Sequence, residues 1–159
     1  MSITAADIMT TNVKTVPPEA SVAEVARVLA EHGISAAPVC DNQGNVLGML
    51  SEGDLLRPVS RGSSARRSWW LNLLAEGTDL APSFLECISV ENQPARVLMV
   101  TPVITAVPEA TVPDMADLMV THHIKRLPIL RDGKLIGIVS RADLVRSLAR
   151  NPGAIAEAL

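Results

Sequence analysis

Gly48-Met49-Leu50-Ser51-Glu52-Gly53-Asp54-Leu55 and Gly137-Ile138-Val139-Ser140-Arg141-Ala142-Asp143-Leu144 are two versions of one phrase. In each, an apolar run holding a glycine stops at a serine, and an aspartate follows three residues later. The run reads as a buried strand. Ser-x-x-Asp reads as the first turn of a helix, with the serine as cap and the acid at the positive helix end. Outward from this phrase the likeness continues. Residues 8–57 align on 98–146 with a single gap opposite Asn42. Identical pairs in order include Met9/Met99, Thr11/Thr101, Pro18-Glu19-Ala20/Pro108-Glu109-Ala110, His32/His122, Pro38/Pro128, Gly44/Gly133 and Arg57/Arg146. Two copies fall short of a solenoid. They predict two like halves packed with pseudo-twofold symmetry.

Each copy carries the same order of elements. A helical turn (residues 6–9, 97–99) leads into an extended segment (13–16, 103–107) and a Pro-Glu-Ala turn. Ser21-x-x-Glu24 is a capping box, and Thr111-x-x-Asp114 is its near equivalent. Val22, Val25, Ala26 and Leu29 in one helix, and Val112, Met115, Ala116 and Met119 in the other, follow the i, i+3, i+4, i+7 spacing of one buried face. Two strands follow (36–40 then 46–50; 127–130 then 135–139), joined by glycine-containing turns at 42–45 and 131–134. The return strands are apolar throughout, which predicts burial on both faces. A last helix opens at Ser51 or Ser140. The unit is β-α-β-β-α and the class is α+β.

Composition narrows the function. The chain has 159 residues, 48% apolar and 19% charged, so it is too apolar for a disordered segment. Aromatics are 2% of residues and the net charge is −3. Stacking platforms for single strands and the basic footprint of a nucleic-acid binder are therefore both missing. Cys40 and Cys87 cannot form a disulfide framework or a four-ligand zinc site, and read as thiols in a reducing compartment. The first residues carry no signal-peptide pattern, and 98–108 is too short to span a bilayer. A soluble, cytoplasmic protein is expected, with no nucleic-acid or membrane partner. No nucleophile elbow, P-loop or dinucleotide fingerprint occurs, so no enzyme is predicted. His32, His122 and His123 stand at helix ends without paired ligands, and no metal site is expected.

These repeated motifs resemble a tandem pair of CBS domains, the regulatory unit also called a Bateman module. The carriers are Met9-Thr10, Val13-x-Thr15-Val16, Pro38-Val39 and residues 48–55, with Met99, Thr101, Val103-x-Thr105, residues 124–129 and 137–144 in the second copy. Arg66-Arg67-Ser68-Trp69-Trp70 further resembles the insert of a bacterial subgroup in which a BON domain often follows; none is expected within these 159 residues, so either the sequence is cut short of it or the protein lacks it. On this reading residues 1–57 and 96–150 are the two repeats, 58–95 a linker (58–66) and helical insert, and 151–159 a tail. A helix capped by Ser68 and a second one over 83–90 are expected within the insert.

What the resemblance implies is a non-catalytic sensor of an adenosine compound: AMP, ADP or ATP, with S-adenosylmethionine and NAD as further family ligands. Such pairs commonly dimerise. The aspartates, Asp143 and Asp54, would hold ribose hydroxyls. Ser140 and Ser51 would meet phosphate, Thr105 and Thr15 would line the adenine pocket, and Pro128 would set the backbone that reads the base. Residue chemistry separates the two clefts. Arg141 and Arg126, beside Lys125, make the second basic. Glu52 and Ser35 leave the first neutral to acidic. One phosphate-binding site, around Asp143, is expected. The alternatives are a dimerisation or interaction module with vestigial clefts, docking a protein partner at Trp69 and Trp70, or the regulatory fragment of a larger enzyme or transporter.

Overall fold

The computed structural model describes residues 2–60 and 93–153. The Trp69–Trp70 insert, the Ser68 cap, the 83–90 helix, Cys87 and residues 154–159 lie outside them. The chain gathers into two units. Among the described residues, one holds 2–13, 43–46 and 102–153; the other holds 14–42, 47–60 and 93–101. Each unit thus takes in the leading segment of the other repeat.

In the second unit α2 (Val22–Glu31) opens on the Ser21–Glu24 capping box and buries Val22, Val25 and Leu29. Strands β1 (Ala36–Cys40) and β2 (Val46–Ser51) form a two-stranded sheet, and α3 (Glu52–Ser60) follows. Helix α3 carries the chain through 58–60, which the sequence assigned to a linker. The short helix α4 (Ala95–Leu98) docks here. The Ala95 and Arg96 amides donate to the carbonyls of Ala20 and Pro18, at 2.8 and 2.9 Å. Ala95 is buried with Val16, Val25, Leu29, Val39 and Leu50.

The first unit repeats this plan. Its helix α5 (Val112–Thr121) opens on the Thr111–Asp114 box and buries Val112, Met115 and Met119. Strands β3 (Arg126–Arg131) and β4 (Lys134–Ser140) pair antiparallel, Arg126 opposite Ser140 and Leu127 opposite Val139. Asp132 and Gly133 both take positive φ at the turn, 51° and 76°, the backbone a tight hairpin demands. Helix α6 (Arg141–Arg150) closes the unit. The helix α1 (Ala5–Ile8) from the start of the chain docks here through the Ala5 amide to Ala110 carbonyl at 2.8 Å and the Ala6 amide to Pro108 at 3.0 Å. Ala5 is fully buried with Met115, Met119, Leu127, Ile129 and Val139.

Two expectations change. The leading strand of each repeat shrinks to one parallel bridge, Val16 with Val39 and Ala106 with Ile129. The prolines just beyond, at 17, 18 and 108, have no amide with which to extend the ladder. The return strands are also not buried on both faces. In β2 only Gly48 and Leu50 are buried, and in β4 only Gly137 and Val139. Strand β1, buried throughout, lies between its bridge and β2; each return strand has a full partner on one long side and a single bridge on the other, Met49 with Val100 and Ile138 with Thr10, and turns alternate residues inward.

Candidate functional site

Both Ser-x-x-Asp phrases fold as the sequence predicts. Ser140 caps α6, its hydroxyl accepting from the Asp143 amide at 3.3 Å. In return Asp143 Oδ2 accepts from the Ser140 amide and from its hydroxyl, both at 2.7 Å. The first copy matches: Asp54 Oδ2 accepts from the Ser51 amide at 2.8 Å and its hydroxyl at 2.9 Å. Asp54 is buried, while the side chain of Asp143 is 13% exposed. That opening matters, because a carboxylate must reach a ligand to bind one.

The other oxygen of Asp143 is also engaged. Arg146, one helical turn on, donates through Nη2 to Oδ1. Burial pushes the Asp143 carboxyl up, but hydrogen bonds from the Ser140 amide and hydroxyl, and then the Arg146 guanidinium, outweigh it; the carboxyl stays below its ordinary range. Asp143 and Arg146 line a pocket of about 320 Å³ together with Ile3, Asp7 and Ile8 from the start of the chain and Arg150 further along α6. This volume lies in the small-molecule range.

Strand pairing brings Arg126 opposite Ser140. Thr105 is half-buried and precedes Ala106, whose amide donates to the Pro128 carbonyl at 3.0 Å. Pro128 itself is fully buried. Arg141 points its Nε at the Ile124 carbonyl, 3.1 Å away, and its amide donates to Lys125 at 3.0 Å. In the other unit Thr15 is exposed, next to the bridge residue Val16, and the Glu52 amide donates to Ser35 at 2.9 Å.

Residues 5–61 and 95–150 match the CBS domain family. The chain belongs to that family. The CBS domain-containing protein YhcV of Bacillus subtilis is 30% identical over 148 residues, covering 93% of this chain and 87% of that protein. The CBS domain of a CBS domain-containing membrane protein from Sphaerobacter thermophilus superposes with a TM-score of 0.70 at 34% identity, over 91% of this chain and 87% of the other. CBSX2, solved in complex with AMP, superposes with a TM-score of 0.69 at 26% identity, over 92% and 96%.

The α+β class and the two CBS repeats inferred from the sequence are what the chain folds into. The coarse reading of a CBS pair holds; the Arg-Arg-Ser-Trp-Trp subgroup does not follow from these similarities. Among the described residues, no helix is long and apolar enough to cross a membrane. Sequence reasoning missed Arg146, Arg150 and Asp7 as neighbours of Asp143. A signal for Arg146 exists in the repeat, since Asp-x-x-Arg recurs as Asp54-x-x-Arg57 and Asp143-x-x-Arg146, a spacing that puts acid and base on one helix face.

The capping carboxylates of this CBS pair make its stability depend on acid. Asp7 is held low by the Thr4 amide and then its hydroxyl, and Asp114 by the Thr111 hydroxyl and then its amide. Like Asp143, these groups have folded-state pKa values below their unfolded values. Each contributes stability above an unfolded pKa of about 3.9 and loses it as pH falls through the folded value. Urea unfolding should give constant stability above about pH 5 and a decline through about pH 4 and below. Ser140→Ala should cost about 1 kcal/mol at neutral pH and flatten that decline. A variant curve parallel to the wild-type curve would remove the Ser140 box from the account.

Proposed function

We propose that this CBS pair is a non-catalytic sensor of an adenosine nucleotide, with Asp143 holding the ribose. The observation that carries the reading is an ionised, partly exposed carboxylate at a pocket of about 320 Å³ that also presents two arginines. A nucleotide asks for both: an acceptor for its vicinal hydroxyls and cations for its phosphate. The AMP bound by CBSX2 supports the choice of ligand class. Thr105 and the backbone at Pro128 are the base-side candidates that the family resemblance nominates; neither lines the pocket. Ser140, Arg126 and Arg141 are the phosphate-side candidates that the family resemblance nominates, but they stand outside the pocket lining, where Arg146 and Arg150 are the cations. Thr15, Ser51 and Asp54 make the corresponding position in the first repeat, where buried Asp54 and neighbouring Glu52 favour a weaker or less charged ligand. Homodimerisation, cytoplasmic location and a protein partner at Trp69 and Trp70 belong to the same proposal, with the ligand changing a dimer or partner surface.

Thermal unfolding with AMP, ADP, ATP, S-adenosylmethionine and NADH tests it. A ligand at a hundred times its dissociation constant adds about 2.7 kcal/mol, a rise on the order of 5–10 °C. A shift for one of these compounds that disappears in Asp143→Ala is the expected result. No shift with any of them would overturn the sensor reading and leave a dimerisation or interaction module.

A further inference from the structure

We propose that Arg146 is a latch on Asp143 that selects ligands carrying an anion as well as a vicinal diol. The proposal rests on the sensor reading above and assigns the specificity of that site. A carboxylate offers about four lone-pair positions. Three are already taken at Asp143: two on Oδ2 by the Ser140 amide and hydroxyl, and one on Oδ1 by Arg146. One position remains, and a ribose diol brings two donors. One existing bond must therefore yield.

The Ser140 bonds are the poor choice, because they close the capping box of α6 and breaking them unsatisfies the helix start. Arg146 is the cheaper bond to give up. Its side chain is 62% exposed, so the released guanidinium returns to water rather than into the core. A released Arg146 still stands at the pocket wall, one turn from Arg150, which lines the same pocket. A neutral nucleoside must displace the guanidinium and offers nothing in exchange. A nucleoside phosphate displaces it and gives it a new, charge-assisted partner. Arg146 thus turns one carboxylate from a general diol acceptor into a site for a diol with an anion attached.

Titration calorimetry of the full chain with adenosine and with AMP reads this directly, in the wild type and in Arg146→Gln. Glutamine keeps the helix and removes the charge. Wild type is expected to bind AMP at least tenfold tighter than adenosine. In Arg146→Gln adenosine should bind tighter than in wild type and AMP weaker, so that the AMP preference falls at least tenfold. Arg146→Lys, which keeps the charge without the planar fork, should restore part of it. A wild type that binds AMP with a preference unchanged in Arg146→Gln would overturn the latch and leave the sensor standing. Failure of wild type and variant alike to bind either compound would overturn the latch, and the sensor reading falls with it when none of the five compounds shifts thermal unfolding.

Discussion

A chain lacking residues 1–13 is expected to lose the fold of residues 102–153. The two lie far apart in sequence, but the first segment is part of that unit. Among the described residues, five backbone hydrogen bonds join them: Ala5 to Ala110, Ala6 to Pro108, Val112 to Ile3, and the reciprocal pair between Thr10 and Ile138. At a net value near 1 kcal/mol each, these amount to about 5 kcal/mol. Ala5 is fully buried, and Ile3, Ile8 and Met9 pack on the same core, so deletion also opens Met115, Ile129 and Val139 to water. Domains are stable by only about 5–15 kcal/mol, and a loss on this scale leaves little native population. Hydrogen exchange should show α5 and the β3–β4 hairpin falling by at least a hundredfold in protection relative to the full chain. Unchanged protection there would mean that the first segment decorates the unit and does not complete it. By the same construction, an excised second repeat starting at residue 96 is expected not to fold, although its sequence pattern looks whole.

That contrast marks what could be read from the sequence. Capping boxes are local: Ser21 with Glu24, Thr111 with Asp114 and Ser140 with Asp143 need only a three-residue spacing, and all three form. The buried faces at Val25 and Leu29, and at Met115 and Met119, need only a helical period. Asp132-Gly133 announces its own turn. The docking of α1 beside α6 has no such local sign, because nothing in residues 3–9 states which repeat they serve. The same holds at the site. Repetition marks Ser140 and Asp143, whereas Asp7 enters the pocket only through that long-range docking. Arg146 carries only a helix-face spacing in the sequence; its bearing on the site depends on Asp143 having both oxygens engaged. Arg141 follows Ser140, and that adjacency suggests a phosphate ligand; its Nε is committed to the Ile124 carbonyl, which sequence adjacency does not disclose.

Gly48→Ala is expected to destabilise the chain by about 1–3 kcal/mol, a range set by forcing a methyl group into packed space. A Cβ built on Gly48 would lie 2.5 Å from Met99 Sδ, 2.6 Å from its Cγ and 2.8 Å from its Cβ. Rotating the methionine side chain relieves the first two contacts but not the third, because that atom moves only with the backbone. The backbone there is pinned: Met49 and Val100 exchange hydrogen bonds at 3.1 and 2.8 Å, directly beside the clash. Gly137 repeats the arrangement under Met9, with Thr10 and Ile138 as the pinned pair. A Cβ on Gly137 would lie 2.8 Å from Met9 Cγ and 3.1 Å from Met9 Cβ, with Sδ closer still. Here most of the overlap belongs to atoms that can swing away. The two sites therefore separate in a double-mutant cycle followed by denaturant unfolding. Met9→Ala should cancel most of the additional penalty of Gly137→Ala, because it removes the sulfur and Cγ. Met99→Ala should recover less of the penalty of Gly48→Ala, because the 2.8 Å contact with Cβ survives. If Gly48→Ala unfolds at the wild-type midpoint, the methionine is yielding and close packing does not require the glycine. If both cycles recover fully, the bridges at Met49 and Ile138 are looser than their hydrogen bonds indicate. The repeated Met and Gly are thus one packing device used twice, in which a strand without side-chain bulk lets a methionine from the leading segment lie flat against its backbone.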